Sequence, residues 1–340
     1  MVGPVGSRVA QRLRQVLPWA VGLGLLAYLL FPYRDPIQRA KLVTAFRRAP
    51  GWAAAVAAAG AVVAYVADTV ATWLVLAWMA VRLRFREVAV IRGVTYFLAI
   101  VNYSLGQAAM IYVLARHGVR ALRATGMILG IMGINVVVLL GTSGLSIAFG
   151  SPTGPNERVA ALVRVLRLAA EVLCAALPLY GLVLALRPRL LTRYELLQPL
   201  FALGPLGHLG AILARLPHIA SMLGAHFVMM RCFGVAVPVK AAALYLPIVF
   251  AVAVLPISAQ GLGTSQLLLI TFFGRYAPGD AAAQQAQVLA YSLYLVAIWV
   301  PTQVVIGLLS LRTELGRTLR RRARGLTEPE RPDTVVEGGS

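Results

Sequence analysis

Uncharged polar side chains gather at two places inside apolar stretches of the sequence, where they could bind a polar molecule at membrane depth. The first place is Asn102–Gln107 and the second is Ser258–Gln266. Amides and hydroxyls there can donate and accept hydrogen bonds without adding charge. The candidate residues for lining a polar groove are Asn102, Gln107, Ser258, Gln260, Gly261, Gly263, Thr264, Ser265 and Gln266. The alternative is hydrogen bonding between helices, which contributes about 0.6 kcal/mol per contact.

Asp68 is the charged candidate for the same groove, because it falls near the middle of the long apolar run 52–81. An acid at the centre of a bilayer costs about 2.5–3.5 kcal/mol on insertion scales, so it normally faces a cavity or a partner. We therefore expect Asp68 to face the protein interior, close to an arginine or to one of the two polar stretches.

Glu171 is a second acid in an apolar segment, but it follows Arg167 by four residues. This spacing places the two side chains on one face of a helix. The sequence predicts a structural ion pair between them, with a role in transport as the alternative.

The remaining reactive residue types form no recognisable catalytic or metal-binding pattern. Both cysteines lie inside apolar segments, and the histidines are not spaced as a metal set. No motif of a hydrolase, a phosphate-binding loop or a dinucleotide-binding fold occurs where it could be used. We expect no enzymatic activity, no cofactor and no metal. The cysteines are Cys174 and Cys232, and the histidines are His117, His208, His218 and His226.

The composition indicates what must position the candidates. Of the 340 residues, 59% are hydrophobic and 13% are charged, and the mean hydropathy is +0.78. Soluble domains carry about 25% charged residues. Several apolar runs reach the roughly 20 residues that a spanning helix requires. We predict an all-α polytopic membrane protein with about six full transmembrane helices and two broken or re-entrant helical hairpins.

The two hairpins are predicted from breaks within apolar sequence. Pro256 removes a backbone donor, and Gly261 and Gly263 weaken any helix through the second stretch. A break at membrane depth is tolerated only where protein or a water-filled cavity surrounds it. The alternative is a proline-kinked span with glycines for close packing.

The arginines predict how the two hairpins are oriented. Arginine-rich flanks mark cytoplasmic ends, so we place 82–92, 116–123, 187–193 and both termini in the cytoplasm. The hairpins then enter from opposite sides, as an inverted repeat of 82–150 and 236–311. Simple crossing by both segments is the alternative. We expect residues 1–325 to form one integral membrane domain and 326–340 to form a disordered tail.

Two motifs resemble those of a known family. Pro256 to Gly263 reads Pro-Ile-Ser-x-x-Gly-Leu-Gly, and Asn102, Leu105 and Gly106 fit a second pattern. These stretches resemble the membrane region of lysylphosphatidylglycerol synthases and their stand-alone, flippase-like relatives. That family usually has an Arg-Glu pair after the second glycine, where this chain has Thr264-Ser265-Gln266. The synthases carry catalysis on a separate soluble domain, so the resemblance implies a function of the membrane region alone.

Two functions are consistent with these features. The first is a lipid translocase, or flippase, that moves a polar-headed phospholipid or an isoprenoid-linked lipid between leaflets. The second is a non-transporting scaffold or accessory subunit of an envelope lipid or glycosyl-transfer enzyme. We expect membrane lipids as partners, with anionic lipids, a membrane enzyme and a second copy left open. Nucleic acid is not expected, because the arginines flank apolar runs. The predicted location is the plasma or inner cell membrane.

Overall fold

The fold consists of helices throughout the residues that the computed structural model describes, which are 4–149, 157–254, 258 and 261–313. Two short 3₁₀ turns follow α1 and α11. The predicted tail, 326–340, lies outside the described residues. The helices are α1 (Pro4–Leu30), α2 (Pro36–Arg47), α3 (Ala53–Trp78), α4 (Phe85–Val101), α5 (Tyr103–Arg116), α6 (Ala121–Ala148), α7 (Glu157–Leu186), α8 (Arg189–Thr192), α9 (Gln198–Cys232), α10 (Val239–Val254), α11 (Thr264–Phe273) and α12 (Ala281–Arg312).

Six helices within the described part are long and apolar enough to cross a membrane, namely α1, α3, α6, α7, α9 and α12. Each contains a window of 18 residues that is apolar on average, close to the length of about 20 residues that matches the hydrocarbon thickness. The prediction of an all-α polytopic membrane protein with about six spans is confirmed. The chain is a multi-pass membrane protein.

The boundaries of one span differ from the prediction. Glycines and prolines favoured an interfacial or re-entrant segment over 196–214, followed by a span from 216. In the structure α9 consists of two helical parts that meet at a kink at Gly204 (φ 64°, ψ 176°), and the second part runs from 205 to 232. Pro205 follows the kink directly, in the first turn of the next helical part, where its missing N–H removes no helical hydrogen bond. The helix therefore continues through the predicted boundary.

The first hairpin is formed by α4 and α5. Asn102 separates them in an extended conformation (φ −160°, ψ 128°). Arg92, before the break, contacts Met110, after it, with 3.7 Å between Nη1 and Sδ. A Cβ on Gly106 would lie 2.8 Å from the backbone oxygen of Thr95. The two helices thus run antiparallel and pack closely.

The second hairpin is formed by α10 and α11. The rings of Tyr245 and Phe272 stack with centroids 4.7 Å apart, across the turn between the helices. Gly261 (φ 73°) and Gly263 (φ 77°) adopt the left-handed conformation that glycine tolerates best. The chain therefore reverses direction at this break, as it does at the first.

Contacts with α6 and α12 show that the hairpins enter the bundle from opposite ends. Near the end of α6, the hydroxyl of Ser146 donates to the carbonyl oxygen of Lys240, near the start of α10, at 2.7 Å. Gly93, in the middle of α4, lies against Ser310, near the end of α12. Helix α5, the second arm of the first hairpin, ends at Arg116 and leads directly into the start of α6. Helix α6 is 28 residues long, which corresponds to about 42 Å. The first hairpin adjoins its start and the second hairpin adjoins its end, so the open ends of the two hairpins lie at opposite ends of the bundle. Both predicted repeats contain two short helices followed by one long helix.

The loop before α12 is tied to α2. The Nζ of Lys41 lies 2.7 Å from a carboxylate oxygen of Asp280. Asp280 also caps α12, because its side chain accepts a hydrogen bond from the N–H of Ala283 at 2.8 Å. A crevice of about 730 Å³ lies between α2 and the start of α12.

Candidate functional site

Asp68 lies at the contact between α3 and α9, and 1% of the residue is exposed. Small residues on both helices permit this contact, since Gly60 and Ala225 face each other across it. Asp68 forms ion pairs with Arg92 of α4 and Arg215 of α9. The expectation that Asp68 faces the interior beside an arginine is confirmed.

Arg215 is also fully buried, with 1% of the residue exposed. Its Nη1 donates to Asp68 and its Nη2 donates to the hydroxyl of Thr72 at 2.9 Å. Its Nε has no hydrogen-bond partner. One helical turn further on, Nδ1 of His218 lies 2.9 Å from the carbonyl oxygen of Ala64. The site thus has a buried guanidinium with one unused donor.

Arg92 forms the more accessible edge of this site, with 14% of its side chain exposed. Its Nε donates to Asp68 at 2.8 Å, and its Nη2 donates to the same oxygen. The guanidinium lies 5.2 Å from the centre of the Tyr96 ring. We call Asp68, Arg92 and Arg215 the buried charge cluster.

Asn102 serves as a helix cap at the first break. Its side-chain oxygen accepts a hydrogen bond from the N–H of Ser104 at 2.8 Å, which satisfies a free donor at the start of α5. Gln107 is partly buried one turn into α5. Tyr103, directly after the break, lies within electrostatic reach of Arg92 and Asp68. The buried charge cluster is therefore adjacent to the first hairpin.

The polar side chains of the second break bond mainly to each other and to the nearby backbone. The hydroxyls of Ser258 and Thr264 lie 2.8 Å apart, and Thr264 also donates to the carbonyl oxygen of Gly261 at 3.0 Å. The side-chain oxygen of Gln266, which is buried, accepts from the N–H of Gly263 at 2.6 Å. These bonds replace the backbone pairing lost where the helix is interrupted.

The two other predicted groove residues considered at the second break are Ser265 and Gln260. Ser265 is partly buried, and its hydroxyl lies close to where a Cβ on Gly261 would be. Gln260 lies outside the described residues.

Helix α1 contacts both breaks. The indole Nε1 of Trp19 donates to the carbonyl oxygen of Val101 at 3.1 Å. A Cβ on Gly263 would lie 2.6 Å from the carbonyl oxygen of Gly22 and equally close to Leu25. Trp19 and Gly22 are separated by three residues, about 4.5 Å along a helix axis. The two breaks thus lie at nearly the same depth in the bundle.

The structure therefore brings the predicted candidates together in two groups. Each of the two breaks contacts α1, whereas Asp68 lies with Arg92 of the first hairpin and Arg215 of α9. Sequence reasoning missed both arginines as members of the site. It assigned Arg92 to the cytoplasmic flank 82–92, but Arg92 lies two turns into α4 and faces the interior. It assigned Arg215 to a boundary between two segments, but the residue lies well inside α9. The position of Arg215 within the largely apolar stretch 198–232 was the sequence feature that could have indicated its role.

The predicted pair of Arg167 and Glu171 is not among the ion pairs formed by the described side chains. Both residues are exposed on α7, which packs against the bundle with only part of its surface. An exposed pair gains little from pairing, because water and salt screen the charges and ordering both side chains costs entropy.

The histidines contact aromatic and backbone groups. His208 lies 2.9 Å from the hydroxyl of Tyr180, and His226 lies 3.1 Å from that of Tyr291. Within the described ranges, no three histidine, cysteine or acidic side chains are grouped to hold a metal ion.

Comparison with known proteins identifies no relative. No family model matches the chain, and no curated protein or solved structure is similar enough to be matched. The geometry of the described residues must therefore support any statement about function.

Proposed function

We propose that this protein moves a polar-headed lipid, either a phospholipid or an isoprenoid-linked lipid, between the two leaflets of a membrane. The main support is that each of the two hairpin breaks contacts α1, within about one helical turn of the other, after entry from opposite ends of the bundle. Broken helices that meet near the bilayer midplane are a common way for transporters to form sites for polar substrates.

The lengths of the half-helices support this proposal. A headgroup must cross about 30 Å of hydrocarbon. The 14 residues of α5 extend about 21 Å, and the 10 residues of α11 extend about 15 Å. Both helices start at a break and run outward, so both N-termini lie inside the bundle. Free N–H groups and the helix dipole at an N-terminus favour negative charge, as carried by a lipid phosphate.

The orientation and the family are part of the proposal. We place the protein in the plasma or inner membrane, and the arginine-rich segments favour an orientation with both termini in the cytoplasm. The motifs at the breaks favour kinship with the membrane region of lysylphosphatidylglycerol synthases. We propose a transport role without catalysis by this chain.

One observation favours the alternative role as a scaffold or accessory subunit. At the second break, Ser258, Thr264 and Gln266 use hydrogen bonds within the break itself. Helix α1 also covers Gly263. A protein that only anchors a partner enzyme needs no further polar surface at this depth.

Reconstitution into liposomes tests the two roles directly. Fluorescent phospholipids and isoprenyl-phosphate lipids would be followed as they move between leaflets, with and without an ion gradient. We expect faster movement of at least one lipid than in empty liposomes. Gly263→Leu should abolish this gain, because the new side chain would collide with α1. Gly133→Leu is the matched control, since Gly133 is helical and has open space around it.

The outcome separates the roles if both variants remain folded, which gel filtration in detergent checks. Lipid movement no faster than in empty liposomes under every condition rejects the translocase role and leaves the scaffold role.

A further inference from the structure

We infer that the buried charge cluster is a binding site for one oxyanion, such as a lipid phosphodiester or free phosphate. The cluster has two guanidinium groups and one carboxylate. Arginine stays protonated in proteins, so the three side chains carry one positive charge in excess. In so far as the anion belongs to a transported lipid, this inference rests on the proposed function and specifies its substrate class.

The excess charge is not balanced by another acid within the described chain. The other ion pairs there are Lys41 with Asp280 and Arg120 with Glu195, which lie in other parts of the bundle. A buried ion without a partner costs several kcal/mol. Binding a singly charged anion would remove this imbalance.

Unused hydrogen-bond donors indicate where the anion would bind. The Nε of Arg215 is buried without a partner. The contact of Arg92 Nη1 is with the sulfur of Met110 at 3.7 Å, and a thioether is a weak acceptor. Both donors belong to guanidinium groups that bond to Asp68, and neither donor is used in those bonds. An oxyanion could accept from them without displacing Asp68.

The type of ligand follows from the geometry of arginine. Its planar group donates two parallel hydrogen bonds, which match phosphate and carboxylate oxygens. Access is past Arg92, the partly exposed member of the cluster, on the hairpin proposed to line the lipid path. Asp68 would then limit affinity, since its negative charge repels the anion while it holds the arginines in place.

Binding to the purified protein in detergent tests the inference without requiring transport. Thermal unfolding would be measured at constant ionic strength with inorganic phosphate, dihexanoyl phosphatidylglycerol or zwitterionic dihexanoyl phosphatidylcholine. We expect stabilisation by phosphatidylglycerol, and by phosphate if the site also accepts the free anion. Arg92→Gln should weaken anion binding about tenfold, and Asp68→Asn should strengthen it about tenfold. Arg116→Gln, on the exposed end of the same hairpin, should change nothing.

The opposite effects of Arg92→Gln and Asp68→Asn are what a purely structural cluster cannot produce. If both variants lower the unfolding temperature but leave the anion midpoint unchanged, the site does not exist. Arg92→Lys keeps the charge and should bind with intermediate affinity, which provides a test if Arg92→Gln does not fold. Equal stabilisation by phosphatidylcholine and phosphatidylglycerol would also overturn the inference.

Transport measurements separate this inference from the proposed function. Lipid movement with no preference for anionic lipids, unchanged by Arg92→Gln, would leave the translocase role standing and reject the anion site. Anion binding in detergent without lipid movement in liposomes would support the anion site and reject the translocase role.

Discussion

The two hairpins share one architecture but solve the problem of a broken helix differently. The first reverses over a single extended residue, Asn102, whose own side chain caps the next helix. The second needs left-handed glycines at 261 and 263 and hydrogen bonds from three side chains. The first also carries an arginine in an ion pair at its centre, where the second has the stacked rings of Tyr245 and Phe272.

This difference indicates a division of roles between similar elements. The second hairpin is held by apolar and aromatic packing and by bonds within its own break, so its polar groups are largely occupied. The first hairpin carries a charged side chain, Arg92, ten residues before its break, and the Nη1 of this arginine contacts the sulfur of Met110. Ligand contacts are therefore expected mainly on the first hairpin, while the second supplies a fixed wall.

The largest expected effect concerns whether the two hairpins enter the membrane from opposite sides. After replacement of Cys174 and Cys232, single cysteines would be introduced by Arg120→Cys and Asp280→Cys, which follow the first and second hairpins. A membrane-impermeant thiol reagent should label the two positions from opposite sides, with Arg120→Cys on the cytoplasmic side. Labelling of both from one side would refute the inverted arrangement.

Substitutions at the two breaks should differ in cost. Gly263→Ala forces an alanine into a left-handed conformation and against the Gly22 carbonyl, so we expect a loss of about 2–3 kcal/mol in stability. Asn102→Ala removes one helix cap, which should cost about 1 kcal/mol. Unfolding in mixed micelles would measure both. Gly133→Ala, in an open helical position, should not destabilise. A larger loss at Asn102 than at Gly263 would contradict the proposed difference between the breaks.

The smallest effect is expected at the surface pair that holds the loop after the second hairpin. The hydrogen bond from Lys41 lowers the pKa of Asp280 below its usual value. A carboxylate with a lowered pKa contributes stability above its unfolded pKa of about 4. This contribution is lost as the pH falls through the lower folded value. Asp280→Asn should thus be slightly less stable than wild type at pH 7, and the difference should disappear in acid and in high salt. A difference that grows below pH 4 would exclude this pair as its cause.

Much of the fold was predictable because it depends on local sequence. Hydropathy determines which segments can span a membrane, and the proline and glycines within 256–263 favour the interruption of a helix. The interior position of Asp68 followed from the cost of burying a carboxylate. Its partners were not predictable, because Arg92 and Arg215 meet it only through the packing of α3, α4 and α9. The helical course of α9 through residue 215 was missed for a similar reason, since glycines and prolines such as those at 204, 205 and 217 can either end a helix or redirect it.

The contact between α4 and α12 has a consequence for the permeability barrier. Side chains larger than hydrogen at Gly93 or Gly307 would collide with Ser310 or Phe97, so the two helices pack with almost no space between them. Helix α12 also follows the second hairpin after a short loop. Helix α12, about 48 Å long, thus connects the second hairpin to α4 of the first hairpin. Under the proposed translocase role, coupling of the two hairpins through this connection would keep both ends from opening at once, so that a lipid could cross without a continuous leak for ions.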